Sequence, residues 1–298
     1  MARLRIAVTG RHGQVARSLV ERAAGTDIDF VPIGRPALDL ANPETIESAL
    51  AAPAADVLVG AAAYTDVNQA ESERDLADRI NGYAAGLLAS HANALGIPMI
   101  QLSTDYVFDG TKPQPYTESD PICPVNAYGR SKAAGERAVA AAHPRHVILR
   151  TSWVYSPFGR NFVRTMLDLA HRGDTVRVVA DQVGNPTAAS DIADGVLAVA
   201  RNLVAGGAGE RYDTFHMAAA GTATWADFAT AIFAASAACG GPSSRVVPIA
   251  SAEYQTPARR PANSRLDCAK IARVHGVSLP SWQPSLTACV RRILEQGA

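Results

Sequence analysis

The sequence has no excess charge of either sign, few aromatic residues and no long apolar run. Its 298 residues carry 28 basic and 28 acidic side chains, and 6% are aromatic. No basic stripe stands out, so a nucleic-acid-binding protein is not expected, because such proteins cluster Lys and Arg. A membrane-spanning helix needs about 18 consecutive apolar residues, and none are present. Binding of a small anionic ligand is compatible with this charge balance, because it needs only a helix N-terminus or a few cations.

Cysteine is scarce and follows no metal or redox spacing. A chain of this size needs no disulfides and has no CxxC pair, so buried thiols in a reducing compartment are expected at Cys123, Cys239, Cys268 and Cys289. The start, MARLRIAVTG, runs into a strand pattern without the apolar stretch of a signal peptide, which favours the cytoplasm. No metal site is expected, because no ligand cluster has suitable spacing.

Short apolar runs alternate with helical patterns through the first half. Strands are expected at 4–10, 28–34, 55–63, 98–104 and 145–152. Helices are expected at 14–24, 43–52, 68–95 and 127–142, the third with an interruption near Asn81. Such alternation predicts an α/β fold in which helices cover both faces of a parallel sheet.

The pattern loosens after about residue 155, where a smaller mixed α/β lobe is expected. Its helices are predicted at 162–173, 190–204, 225–238 and 284–296, with a short strand at 175–181. We divide the chain into 1–152 and 153–298, with the helix near 190–204 packing on the first lobe. No low-complexity linker separates the two.

The segment TGRHGQVA, residues 9–16, joins the first strand to the first helix. Glycine permits a tight turn and close approach of a phosphate, and the helix N-terminus attracts the negative charge. The segment therefore predicts a dinucleotide site formed by Gly10, Arg11, His12, Gly13, Gln14 and Val15. The alternative is a plain strand-to-helix glycine turn.

The end of the second strand indicates which dinucleotide is bound. It reads IGRP, with Arg35 and no carboxylate, which favours the 2′-phosphate of NADPH, with NADH as the alternative. Asp39 and Leu40 are expected beside the adenine. Otherwise Arg35 is simply a solvated side chain.

Two further motifs suggest catalysis. STDYVFDG, residues 103–110, follows a predicted strand and places Ser103, Thr104 and Asp105 at the sheet edge where ligands bind, although turn residues have the same composition. In AYGRSK, Tyr128 and Lys132 share one helix face. A nearby ammonium would lower the tyrosine pKa, so that the phenol could exchange a proton with a carbonyl oxygen.

These segments, together with AAAYTDV and RTSWVY, resemble the extended short-chain dehydrogenase/reductase superfamily and, within it, the dTDP-4-dehydrorhamnose reductase family. The similarity continues in order through DQVGNPT, GTATWADFA, RRPANSRLD and LPSWQPSL, and so covers nearly the whole chain. It implies a Rossmann-type doubly wound sheet, with an NAD(P)-binding domain at 1–152 and a mainly substrate-binding lobe at 153–298.

The resemblance also implies a reaction, reduction of the 4-keto group of dTDP-4-dehydro-6-deoxy-L-mannose to dTDP-L-rhamnose. Tyr128 would donate the proton, Lys132 would hold the nicotinamide ribose, and Thr104 would bond the substrate oxygen. The sugar would also meet Val67, Asp105 and Trp153, unless Trp153 is only a core aromatic. The nicotinamide side would be lined by Ala61, Ala62, Ala63, Tyr64 and Thr65.

Some features leave alternatives open. Asn68 and Gln69 replace an Asp-Lys pair of the family, so a 4-ketoreductase of another nucleotide-linked deoxysugar remains an alternative. A non-catalytic NADP-binding regulatory subunit is disfavoured because Thr104, Tyr128 and Lys132 are all present. The substrate diphosphate needs cations outside the first lobe, and the candidates are Arg259, Arg260 and Arg265. The oligomeric state is open, with a homodimer among the options.

Overall fold

A computed structural model describes residues 3–51, 54–206 and 209–297, and its first half alternates strands with helices. In order these are β1 (Leu4–Thr9), α1 (Gln14–Ala23), β2 (Ile28–Ile33), α2 (Glu44–Ala51), β3 (Val57–Gly60), α3 (Arg74–Ala77), α4 (Ala84–Ala94), β4 (Met99–Thr104), α5 (Ala127–Ala142) and β5 (His146–Thr151). A π-helical turn, Asp78–Tyr83, joins α3 to α4. Ala52, predicted as the last residue of the second helix, lies outside the described residues.

The second half is mixed, with short strands between longer helices. It comprises β6 (Val154–Tyr155), α6 (Phe162–Ala170), β7 (Thr175–Val179), β8 (Val183–Gly184), β9 (Thr187–Ala188), α7 (Ala189–Val204), β10 (Thr214–His216), β11 (Ala223–Thr224), α8 (Trp225–Ala238), β12 (Arg245–Ile249), α9 (Ala269–His275) and α10 (Trp282–Gly297). The small sheets pair β7 with β12, β8 with β11 and β6 with β9. No helix in the described part of the chain is long and apolar enough to cross a membrane.

The central sheet has six strands in the order β2-β1-β3-β4-β5-β10, and every neighbouring pair is parallel. The predicted α/β architecture is therefore confirmed. Strand order reverses between β1 and β3, so a crevice opens at the carboxyl ends of these strands, where open α/β sheets bind ligands. The edge strand β10 comes from the second half of the chain.

Apolar side chains form three cores, one on each face of this sheet and one among helices of the second half. One face packs α1 and α7 against the strands through Ile6, Val8, Leu19, Ile192, Val196 and Phe215. The other face packs α2, α4 and α5 through Ile46, Leu58, Leu88 and Val139. The third core joins α6, α8 and α10 through Val163, Phe228, Ile232 and Leu286. Burial on both faces explains why the central strands are almost continuously apolar.

Three sequence-based expectations differ from the structure. The helical stretch at 68–95 continues past Asn81, which lies in the π-helical turn instead of a break. The third strand ends at Gly60, because the Thr9 hydroxyl accepts the N–H groups of Ala61 and Ala62 at 3.0 Å each and turns the chain out of the sheet. Two cysteines expected to be buried are exposed, since they lie in a loop and at a helix end: Cys123 and Cys239.

A buried ion pair fastens α5 to the sheet. Glu136 of α5 accepts two bonds from the Arg150 guanidinium of β5, at 2.9 and 2.7 Å, and one from the Ser103 hydroxyl of β4 at 2.5 Å. Glu136 is 4% exposed and Arg150 is 3% exposed. Because the charges are desolvated, losing one partner leaves the other unpaired in a low-dielectric interior.

We expect Glu136→Leu to lower the free energy of unfolding by about 3 kcal/mol, because Arg150 then stays buried without a counter-charge. The matched control combines Glu136→Leu with Arg150→Met, which removes both charges and should recover part of that loss. Urea unfolding of the three proteins provides the measurement. A double variant less stable than Glu136→Leu alone would contradict this account of the pair.

Candidate active site

The glycine turn after β1 has the shape of a phosphate cradle. Gly10 has φ 98°, a conformation that residues with a Cβ rarely adopt. Gly13 precedes α1 without a side-chain cap, and a Cβ built on it would meet nothing within 4 Å. The first-turn N–H groups that follow, those of Gln14 and Val15, are thus available to an anion, which fits the diphosphate of a dinucleotide.

Two arginines, Arg11 and Arg35, lie near the carboxyl end of β2. Arg11 packs over Gly34 and donates from Nε to the Pro32 carbonyl at 3.3 Å, and both Arg11 and Arg35 are exposed. The downstream carboxylate, Asp39, accepts the N–H of Ala41 at 3.0 Å. Exposed cations fit a 2′-phosphate better than a free 2′-hydroxyl.

The other adenine-side candidates differ in exposure. The Leu40 side chain is 7% exposed and belongs to the core under β2, whereas His12 is exposed on the glycine turn. His216 is fully buried and packs edge-on against Phe108. His216 is therefore a core side chain.

The loop 61–65 is held by Asn81. The sequence pattern around this residue predicted only an interruption of the helix. The Asn81 side chain accepts the N–H of Tyr64 at 2.8 Å and donates to the Tyr64 carbonyl at 3.0 Å. It also donates to the Ser131 hydroxyl of α5 at 2.9 Å. The π-helical turn therefore ties the expected nicotinamide loop to the helix that carries Tyr128. The sequence feature that could have pointed to this role is the Asn81-Gly82 dipeptide inside the helical pattern.

Helix α5 brings the predicted tyrosine and lysine to the carboxyl end of β4. Asn126 caps the helix by accepting the N–H of Gly129 at 2.8 Å, which places Tyr128 in the first turn. One turn later, Lys132 is 5% exposed, and its Nζ donates to the Leu102 carbonyl at 2.7 Å. Tyr106 packs edge-on against Tyr128, with ring centroids 5.9 Å apart.

The pKa of Tyr128 differs from the sequence-based expectation. Burial raises its pKa to about 12, although the neighbouring Thr104 hydroxyl acts in the opposite direction. The lowering expected from Lys132 is thus not found, and the side chain is a neutral phenol at pH 7. Burial lowers the pKa of Lys132 to about 8, opposed by the negative charge of Glu136. A neutral phenol is suited to donate a proton.

Thr104 is the last residue of β4, Asp105 directly follows it, and both are buried. The Thr104 hydroxyl donates to Asp105 Oδ1 at 3.0 Å and accepts the N–H of Tyr106 at 3.2 Å. Burial raises the pKa of Asp105 to about 7, while the neighbouring hydroxyls of Ser264 and Thr104 oppose the rise. Asp105 Oδ2 finds no partner among the described residues, so it can accept a bond from a ligand hydroxyl.

Trp153 follows β5 at the same sheet edge, in a strained conformation. Its φ is 47°, unusual for a bulky residue and frequent at functional sites. Its indole stacks on Trp225 with centroids 3.5 Å apart and planes 6° apart, and a Cβ on Gly184 would lie 2.4 Å from the ring. Trp153 is half-buried, so it retains an exposed part. Sequence reasoning missed both supports, Trp225 and Gly184.

The predicted residues thus gather at the carboxyl edge of the sheet. Gly10 follows β1, Ala61 follows β3, Thr104 ends β4 and Trp153 follows β5. Val67 is half-buried in the segment that leads from the 61–65 loop to α3. No group of three His, Cys, Asp or Glu side chains within the described ranges is arranged to hold a metal ion.

Comparison with known proteins agrees with this arrangement. Residues 4–295 match the family described as RmlD substrate binding domain. The dTDP-4-dehydrorhamnose reductase of Sinorhizobium fredii is 47% identical over 294 residues, covering 99% of each chain.

Two solved structures are similar along almost the full length. The dTDP-4-dehydrorhamnose reductase of Clostridium acetobutylicum superposes with a TM-score of 0.89 at 34% identity, covering 98% of this chain and 100% of that one. The Bacillus anthracis dTDP-4-dehydrorhamnose reductase, in complex with NADP, has a TM-score of 0.87 at 33% identity, covering 96% and 98%. The chain is a member of the dTDP-4-dehydrorhamnose reductase family.

Proposed function

We propose that this protein uses NAD(P)H to reduce the 4-keto group of dTDP-4-dehydro-6-deoxy-L-mannose, giving dTDP-L-rhamnose. What supports the proposal is that Thr104, Tyr128 and Lys132 lie around the carboxyl end of β4, on the same edge of the sheet as the glycine turn after β1. Membership of the reductase family supports the same substrate.

The first lobe would bind the cofactor. The N–H groups at the start of α1 would take the diphosphate, and Arg35 with Arg11 would face the adenosine ribose. The loop held by Asn81 would border the nicotinamide. The chemistry that reduced nicotinamide supplies when bound is hydride transfer to the keto carbon of the sugar.

Tyr128 would complete the reduction by giving its phenolic proton to the keto oxygen. The carbon gains a hydride and the oxygen gains a proton, so the product is the 4-hydroxyl sugar. The phenolate left on Tyr128 is costly in a buried site, and the ammonium of Lys132, one helical turn away, would stabilise it. The Thr104 hydroxyl lies beside the phenol, and by turning its proton away from Asp105 Oδ1 it would donate to the same keto oxygen.

The second lobe would position the sugar. Trp153, fixed by Trp225 and Gly184, offers the exposed part of its indole as an apolar surface. Val67 would contact the sugar from the first lobe. The unpaired Oδ2 of Asp105 would accept a bond from a sugar hydroxyl.

We expect Tyr128→Phe to lower kcat by about 10²–10⁴-fold, because the change removes the general acid. The measurement is NADPH oxidation with the keto sugar generated in situ. The exposed Tyr83 supplies a matched control, and Tyr83→Phe should keep wild-type activity. Wild-type protein that leaves the keto sugar unreduced would refute the proposed substrate, and unchanged kcat in Tyr128→Phe would refute the role of the tyrosine.

We expect kcat/KM to decline at alkaline pH with a midpoint near 8, the pKa of Lys132. Above that pH Lys132 loses its proton, so the phenolate formed on Tyr128 loses its stabilising cation. Lys132→Arg keeps a charge at any accessible pH, so its residual activity should lack this decline. Asp105 is unchanged in the variant, so comparing the two pH profiles isolates Lys132. Identical alkaline limbs in both proteins would contradict the assignment.

We expect Arg35→Glu to raise the KM for NADPH about tenfold while leaving the KM for NADH within about twofold. The reason is repulsion between the new carboxylate and the 2′-phosphate, a group that NADH lacks. Initial rates with each cofactor at saturating sugar test this. Equal increases for both cofactors would show that Arg35 does not read the 2′-phosphate.

A further inference from the structure

Arg260 is a half-buried cation with only neutral partners. Its guanidinium donates to the Thr256 hydroxyl at 2.6 Å and to Asn68 Oδ1 at 3.3 Å. Its charge also lies close enough to the Tyr106 hydroxyl to oppose the rise that burial causes in the pKa of that group. None of the ion pairs found among the described residues includes it. Because a guanidinium has five N–H donors, at least two remain for a ligand.

The position of Arg260 relates it to the sugar side of the site. Tyr106, whose hydroxyl lies near the Arg260 charge, packs against Tyr128 with ring centroids 5.9 Å apart. Asn68, its other contact, directly follows Val67. Arg260 therefore comes from the second half of the chain but lies against two segments of the first lobe, at the border of the catalytic group.

The two carboxylates on either side of Asn68 in the chain, Asp66 and Glu71, are already engaged. Asp66 Oδ1 accepts the N–H groups of Asn68 and Gln69, at 3.1 and 2.9 Å. Glu71 bonds the N–H of Ala127 and pairs with two arginines, Arg74 at 3.1 Å and Arg130 at 3.7 Å. They leave the charge of Arg260 uncompensated, and an uncompensated, partly desolvated cation is a strong site for an anion.

The neighbouring arginines do not share these properties. Arg259 is exposed, and the bond at that residue comes from Asn126 to its backbone carbonyl. Arg265 bonds Asn263 Oδ1 at 2.9 Å and also the Pro113 carbonyl, so it holds the chain itself. Among the three arginines singled out in the sequence, Arg260 alone combines free donors with contact to the catalytic side.

We propose that Arg260 binds the diphosphate of the nucleotide-sugar substrate, an inference that rests on the proposed function. A guanidinium can donate two parallel bonds to phosphate oxygens, which fixes orientation as well as charge. The diphosphate of the dinucleotide is a different anion, and it has its own cradle at Gly10 and Gly13. Arg260 would thus set the distance between the diphosphate and the keto group that faces Tyr128.

The test is calorimetric titration of dTDP, and separately of NADP⁺, into wild type and four variants. Arg260→Gln should weaken dTDP binding about 30-fold, the scale of losing a charge-assisted contact, and should leave NADP⁺ binding unchanged. Arg260→Lys keeps the positive charge but loses the planar pair of N–H donors. Its dTDP affinity should therefore lie between those of wild type and Arg260→Gln. Arg259→Gln, the matched control, should bind both ligands like wild type, and Tyr128→Phe should still bind dTDP.

Two outcomes would overturn the proposal. One is unchanged dTDP affinity in Arg260→Gln, and the other is an equal loss of NADP⁺ affinity, which would assign the arginine to the cofactor or to folding. The same experiments distinguish this result from a failure of the proposed function. If wild type binds dTDP in an Arg260-dependent way yet reduces no 4-keto sugar, the anion site stands and the reaction must be sought elsewhere.

Discussion

The attachment of α5 to the sheet is the interaction on which the site depends. Glu136 is bonded to Arg150 of β5 and Ser103 of β4, so the helix cannot slide or rotate without exposing a buried charge. Tyr128 and Lys132 lie on this helix. The residues beside them, Thr104 and Leu102, lie on the same strand as Ser103. Structural rigidity and catalytic geometry therefore have one origin.

Burial determines the chemistry of the groups so positioned. It raises the pKa of Tyr128 to about 12 and of Asp105 to about 7, and it lowers the pKa of Lys132 to about 8. The tyrosine is consequently a proton donor at rest, and the lysine is charged at neutral pH but close to losing that charge. A reductase needs this combination, because the proton moves once and the phenolate must be stabilised afterwards.

The two halves of the chain contribute different parts of the site. The first supplies the glycine turn, the loop held by Asn81 and the tyrosine helix. The second supplies an aromatic surface at Trp153 and an uncompensated cation at Arg260. A nucleotide-sugar is divided in the same way. Its keto group must reach the residues of the first half, and its diphosphate needs the cation of the second half.

Sequence alone determined the α/β alternation, the glycine turn and the Tyr128–Lys132 pair, because these depend on short-range periodicity and on residues close together in the chain. Only the tertiary structure decided the support of Trp153 by Trp225 and Gly184, the link from Asn81 to Tyr64, and which of three arginines faces the catalytic side. It also decided that the pKa of Tyr128 is raised, contrary to expectation. The physical reason is that desolvation and long-range packing depend on neighbours distant in sequence, which no local pattern records.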